Sequence, residues 1–256
     1  IKYLMENQYL ENIKKGMKVT ILNSQKKNIT GLVEDVALRK PFDEEGIMVR
    51  LSNGDVGRVK KIIHSEPELN DKIASEIKKL LEKGESFNVE FKAEAFWSIS
   101  YNPIQIKESK SFEIIEYGQR ASKIIIARAI ASFLNSEGGN LVIGVKEKKE
   151  NGKFEIFGIE EDMKKLKEQG ADSYKRTIID EILRAFFPSK IFNHLNDYLV
   201  FEFCSIEGKD ILWIKIKKSD SRVFLKINNK DLFMIRVDSE NRSLEGEKLV
   251  DYCIKK

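Results

Sequence analysis

Residues 121–145 restrict the fold more than any other part of the chain. Residues 121–134 read as a strongly apolar helix with Ile126, Ala129, Ile130, Phe133 and Leu134 on its buried side. Asn135-Ser136-Glu137-Gly138-Gly139 ends it, because glycine accepts the positive φ of a helix-terminating turn. Asn140-Leu141-Val142-Ile143-Gly144-Val145 is then a nearly continuous apolar strand, the mark of a position buried on both faces of a sheet. A buried helix running straight into a central strand requires a sheet with helices packed on it.

The segments around this unit mix both periods. Asn88-Val89-Glu90-Phe91-Lys92 alternates, so Val89 and Phe91 face inward while Glu90 and Lys92 share the other face. Further strands are expected at 154–159 after an Asn151-Gly152 turn, at 199–205 and 211–217 around Glu207-Gly208, and at 223–226 and 232–237. Helices are expected at 67–81, 178–187 and 246–254. Residues 16–63 differ in character, with short strands between turn signals. The clearest is Ile47–Leu51 and Val56–Ile62 about the hairpin Ser52-Asn53-Gly54-Asp55. Such strands suggest a small barrel, since closure removes exposed edges. The expected division is residues 1–66 as a small β-barrel, 67–83 as a connecting helix, and 84–256 as an α+β domain with a mixed or antiparallel sheet and packed helices.

Composition excludes several classes. No stretch approaches the roughly 18 consecutive apolar residues of a spanning helix, and residues 1–18 mix charge with apolar side chains, unlike a secretory signal. Cys204 and Cys253 lack metal-ligand spacing, so a reducing, cytoplasmic setting is expected, with no membrane partner. Lys and Arg number 45 against 41 Asp and Glu, a net charge of +4, so any nucleic-acid surface must be a local one. There is no Gly-rich phosphate loop and no Gly-x-Ser-x-Gly elbow. His64 and His194 are the only histidines, which leaves carboxylates to carry any catalysis.

Two resemblances add to this reading. Gly16-Met17-Lys18-Val19, residues 31–36 and residues 46–59 resemble the small YwbE-like domain over about 50 residues. There Arg50, Arg58, Lys60 and Lys61 read as a solvated strand face ahead of phosphate contacts. Four blocks of the larger part resemble the Schlafen AlbA-type domain, in family order: residues 85–92, 131–145, 158–162, and 233–237 through Arg242-Ser243-Leu244.

Some members of that family are divalent-metal-dependent endoribonucleases that cut tRNA or rRNA. The resemblance assigns their three acidic positions, as catalytic residues and ligands of Mg²⁺ or Mn²⁺, to Glu85, Glu90 and Glu147. The third is commonly Asp in the family; here Glu147 is one methylene longer. Hard cations held by carboxylates both activate water and neutralise an oxyanion, which phosphodiester hydrolysis needs. Glu85 and Glu90 are five apart, so they converge only if Glu85 sits in the turn before the strand. Lys92, Arg128, Arg236 and Arg242 are the candidate nucleic-acid contacts, with pairing to internal acids the alternative for each arginine. Trp97 and Tyr101 are candidates for base stacking or core packing.

The resemblance therefore implies a metal-dependent endoribonuclease acting on structured RNA such as tRNA. The alternative is a non-catalytic module that binds RNA or DNA. ATP binding, attached to some longer relatives, has no phosphate-loop sequence here. Schlafen-like cores pack two related lobes and this chain carries one, so a homodimer completing a groove is expected.

Overall fold

Period-two patterning in the first 63 residues closes into a barrel. The structure, a computed structural model, describes residues 6–38, 40–63, 66–148 and 152–255. His64 and Asn151 of the expected 151–152 turn lie outside the described residues. The chain divides into two units, Ile1–Leu69 and Asn70–Lys256.

In the first unit, strands β1 (Lys18–Asn23), β2 (Asn28–Val36), β3 (Met48–Leu51) and β4 (Val56–Ile63) form a closed antiparallel barrel. Alternation sends Val19, Ile21, Val33, Val49, Leu51 and Val59 into its core. The expected hairpin is present: Gly54 has φ +89°, and the Asn53 carboxamide receives the Asp55 N–H. Arg58 is held by Asp43 at 2.5 Å, Glu45 at 3.0 Å and the Gly46 carbonyl at 3.1 Å. Its hydrogen bond to Asp43 holds that carboxyl below the usual carboxylate range. Lys60 donates to the Glu45 carbonyl. Two of the four basic residues noted in this unit are thus tied to the barrel's own 43–46 loop.

The second unit is built on the mixed four-stranded sheet β5-β6-β10-β9: β5 (Val89–Lys92), β6 (Gly139–Ile143), β9 (Leu199–Ile206) and β10 (Lys209–Ile216). Strand β5 runs parallel to β6, and the other pairs are antiparallel. The two central strands divide their side chains by period. Leu141, Ile143, Leu212 and Ile214 face the central helix (Ala121–Asn135), with Ile130 and Phe133 in the same core. Val142, Ile211 and Trp213 face the opposite way, with Ile73 and Ile77 of the Glu66–Lys83 helix.

A two-stranded ribbon, β7 (Val145–Glu147) and β8 (Phe154–Ile156), follows β6 and places Phe154 against Phe91. The chain leaves strand geometry after Ile156, short of the expected 159, and turns at Gly158 with φ +88°. The expected 178–187 helix begins earlier, at Ala171, and passes through a π-helical turn at Ile179–Leu183 before ending at Phe186. A meander of β11 (Phe224–Ile227), β12 (Lys230–Val237) and β13 (Glu240–Leu244) packs on the central helix through Leu225, Ile227 and Met234. Among the described residues no helix is long and apolar enough to cross a membrane.

Candidate functional site at the Glu90 corner

Gly84, with φ +75°, stops the Glu66–Lys83 helix, and residues 86–89 turn back on themselves through paired Ser86 and Val89 backbone bonds. This turn resolves the five-residue spacing. Glu85 lies before the strand, and its Oε1 accepts the Phe91 N–H at 3.0 Å. Burial of the carboxyl group raises the Glu85 pKa, and the neighbouring Glu90 charge pushes the same way against the Phe91 N–H, Lys92 and Arg236.

Glu90 points from β5 into the interior and is 4% exposed. Its Oε2 is paired with the Arg236 Nη1 and its Oε1 with the Lys92 ammonium, and Asn241 Nδ2 approaches Oε1 at 3.4 Å. Arg236 reaches this point from β12. Its Nε donates to the Ser86 carbonyl, Nη1 to Glu90 and Asn241, and Nη2 to the Ser86 and Val89 carbonyls. A guanidinium has five N–H groups, so all five are taken up inside the protein. The Phe133 ring lies beneath it at 5.1 Å, and Ser136 receives the Arg236 backbone N–H. Arg236 is therefore an internal clamp that joins β12 to β5.

The other candidates separate by exposure. Lys92 keeps 28% of its side chain accessible while bonding Glu90 and the Phe91 carbonyl. Arg242 is exposed on β13 and pairs with the equally exposed Glu240. Arg128 lies over the Tyr117 ring at 5.3 Å and donates to the Tyr117 hydroxyl; its Nε is buried without a partner. Trp97 and Tyr101 meet edge-on at 5.7 Å, both half-buried.

Glu147 is exposed at the end of β7, opposite Phe154. Among the described residues no three His, Cys, Asp or Glu side chains come together as a metal-holding group. The corner thus gathers Glu85 and Glu90 but not Glu147. Its two carboxylates are already balanced by Lys92 and Arg236, so the cluster carries no net negative charge to recruit a divalent cation. In this arrangement the trio does not fit a three-carboxylate metal centre.

One organising acid escapes sequence reasoning. Asp162 is fully buried and accepts the Ala95 N–H at 2.7 Å, the Phe96 N–H at 3.0 Å and the Tyr174 hydroxyl at 2.7 Å. Burial raises its pKa, countered by those bonds and by Lys165. It anchors the loop that leaves β5 after Lys92. Its place in the 158–162 block was the available signal, but an acid in a charged run reads first as surface.

Two family models match this chain. The model of the family described as "Schlafen, AlbA_2" matches residues 85–245, more than half of the 256-residue chain. The family "Uncharacterized conserved protein (DUF2196)" matches residues 6–62, which hold the barrel. No curated protein matches the chain. Among solved structures, the DIP2311 protein from Corynebacterium diphtheriae is similar over 68% of this chain at 16% identity, with a TM-score of 0.38; this chain spans 27% of that one. The chain belongs to the Schlafen AlbA_2 family, and that membership supports a nucleic-acid-related function.

Proposed function

We propose that residues 85–245 form a nucleic-acid-binding module with RNA as the favoured ligand and DNA second. The observation that carries this reading is the family match over that span. Two cations with solvent access, half-buried Lys92 on β5 and exposed Arg242 on β13, are suited to phosphate contacts. Arg236 acts through Glu90, as the counter-ion that fixes β5.

The test is fluorescence anisotropy of the full chain with labelled tRNA and single-stranded DNA between 50 and 200 mM salt, a range over which several phosphate contacts cost roughly 10³-fold or more in affinity. The logarithm of affinity should fall linearly with the logarithm of salt, and Lys92→Gln and Arg242→Gln should each flatten the slope. Affinity indifferent to salt would overturn the reading.

A second reading, a divalent-metal-dependent endoribonuclease acting on structured RNA such as tRNA, is favoured by one observation. Glu85 and Glu90 crowd two carboxyl groups together, which raises the Glu85 pKa further beyond the effect of burial. That reading needs Glu147 brought to the pair. Incubation of tRNA with the protein in Mg²⁺, in Mn²⁺ and in chelator distinguishes the readings. Glu147→Gln is the informative variant, since Glu147 is exposed and its loss leaves the buried Glu90–Arg236 pair intact. Metal-dependent cleavage lost in Glu147→Gln establishes the enzyme; cleavage that survives it, or none at all, removes the three-carboxylate mechanism. The proposed homodimer is checked by light scattering, where a monomeric mass removes it.

A further inference from the structure

Away from the Glu90 corner, the second unit holds a cavity of about 170 Å³. One wall is the 217–222 loop between β10 and β11, with sequence Lys-Lys-Ser-Asp-Ser-Arg. The floor is Phe233 of β12, and the far wall is Tyr252 of the Gly246–Lys255 helix, the two rings meeting edge-on at 5.9 Å.

The loop is held in place from below. The Asn135 side chain bonds both backbone groups of Val223 and the Met234 carbonyl, all within 2.9 Å. Ser219 donates its backbone N–H to Leu134, and Tyr252 bonds the Asn135 carbonyl. These bonds fix the backbone and leave the loop's polar side chains at the opening.

Those side chains are mostly donors. Lys218 and Arg222 line the cavity with the hydroxyls of Ser219 and Ser221, and Lys190 adds a third cation, its ammonium 2.9 Å from the Ser221 hydroxyl. Two carboxylates oppose them: Asp220 in the lining and Glu137, which is 3.0 Å from Lys218. The local balance is three cations to two acids. Arg222 differs from Arg236 in one decisive respect. Within the protein only its Nη2 has a partner among the described residues, the Cys253 carbonyl at 2.5 Å, so the remaining donors of the fork are available to an acceptor.

Size narrows the ligand. Pockets for whole small molecules run from about 300 to 1,000 Å³, and this one is well below that range. It takes one group of a larger ligand. A phosphomonoester is compact, carries nearly two charges and presents three strong acceptor oxygens, matching a cradle of ammonium, guanidinium and hydroxyl donors. An internal phosphodiester carries one charge and has strand on both sides, which a concave opening excludes. We propose that the cavity between the 217–222 loop and the Gly246–Lys255 helix is a phosphomonoester pocket that holds the terminal phosphate of an RNA strand. The RNA part of this assignment rests on the nucleic-acid reading above; the phosphate part rests on the cavity alone.

The experiment uses the full chain and one RNA oligonucleotide in three forms: 5′-phosphate, 3′-phosphate and hydroxyl at both ends. One phosphorylated form should bind about tenfold tighter than the hydroxyl form, and millimolar inorganic phosphate should abolish the advantage. The arm that gains identifies the strand end. Lys218→Gln and Arg222→Gln should each remove the advantage and leave hydroxyl-ended affinity unchanged. Lys218→Gln guards against misfolding, because among the described residues Lys218 pairs only with the exposed Glu137, whereas Arg222 also ties down the Gly246–Lys255 helix. Equal affinity for all three forms overturns the pocket assignment while leaving nucleic-acid binding in place. If no RNA form binds, an inorganic phosphate titration followed by the amide resonances of Ser219 and Ser221 decides. Shifts lost in Lys218→Gln support a phosphate pocket and overturn only its RNA ligand; unmoved resonances overturn it entirely.

Discussion

Arg236 and Glu90 form a pair with 1% and 6% of their side chains exposed, where neither charge has water to fall back on. Removing one member of such a pair costs about 3–5 kcal/mol, because the other is left buried and uncompensated. Arg236→Met should therefore lose stability on that scale in urea denaturation. Glu90→Gln in the same background should recover part of the loss, giving a coupling well outside additivity. An additive cycle would show that the pair is not a unit. Glu85 yields a prediction of opposite sign. Its carboxyl takes up a proton at higher pH in the folded chain than the unfolded value near about 4.3. Its contribution is thus most favourable below that unfolded value and is lost as pH rises through the folded one. Glu85→Gln, which cannot ionise and still offers Oε1 to Phe91, should raise the melting temperature at pH 7 and lose that gain by about pH 3.5. A lowered melting temperature at pH 7 would mean the anion's bond to Phe91 outweighs its burial. The sequence left an internal acid open as the partner of Arg236 but could not say which one. Glu90 and Arg236 lie 146 positions apart, and either could have found a different partner.

At the scale of elements, the central helix, its Gly-Gly turn and β6 act as one device. A Cβ at Gly138, where φ is +76°, would stand 2.6 Å from the Ile216 carbonyl. One at Gly139 would stand 2.4 Å from the Phe133 ring. Gly138→Ala should cost more than about 1 kcal/mol through backbone strain. Gly139→Ala should also displace Phe133 from beneath Arg236, so it should weaken nucleic-acid binding as well as lower the melting temperature; unchanged binding would separate the turn from the corner. This device was legible because its determinants are local, an apolar run followed by two glycines. Strand β13 was not, since Glu240-Asn241-Arg242-Ser243-Leu244 has no apolar alternation and is a strand only because β12 offers it a pairing edge. The first turns of the helix beginning at Ala171 were missed for a related reason: Asp172, Lys175, Arg176 and Thr177 mask a stripe carried by Tyr174 and Ile178 alone.

For the whole molecule, the decisive fact is that each unit has its own apolar interior, one cluster in the barrel and one on each face of the second unit's sheet. Ile21 in the barrel and Ile130 in the central helix are both fully buried. Cutting either to Ala removes apolar contacts worth about 2–5 kcal/mol. Hydrogen exchange should then quicken in the unit that carries the substitution and stay slow in the other; acceleration throughout would show a single cooperative body. Ile73 and Ile77 were legible as the apolar stripe of an expected helix, but that they pack with Val142 and Trp213 was not, because helical spacing says which side is buried and not against what.

The long reach of Arg236 back to β5 also has a consequence in time. On a ribosome adding 5–20 residues per second, Glu90 is made roughly 7–30 s before Arg236. Through that interval the corner has no clamp, with Lys92 as its nearby cation, and the first strand of the sheet is not yet locked in place. A nascent chain therefore cannot close the Glu90 corner until residue 236 has been translated and has left the ribosome.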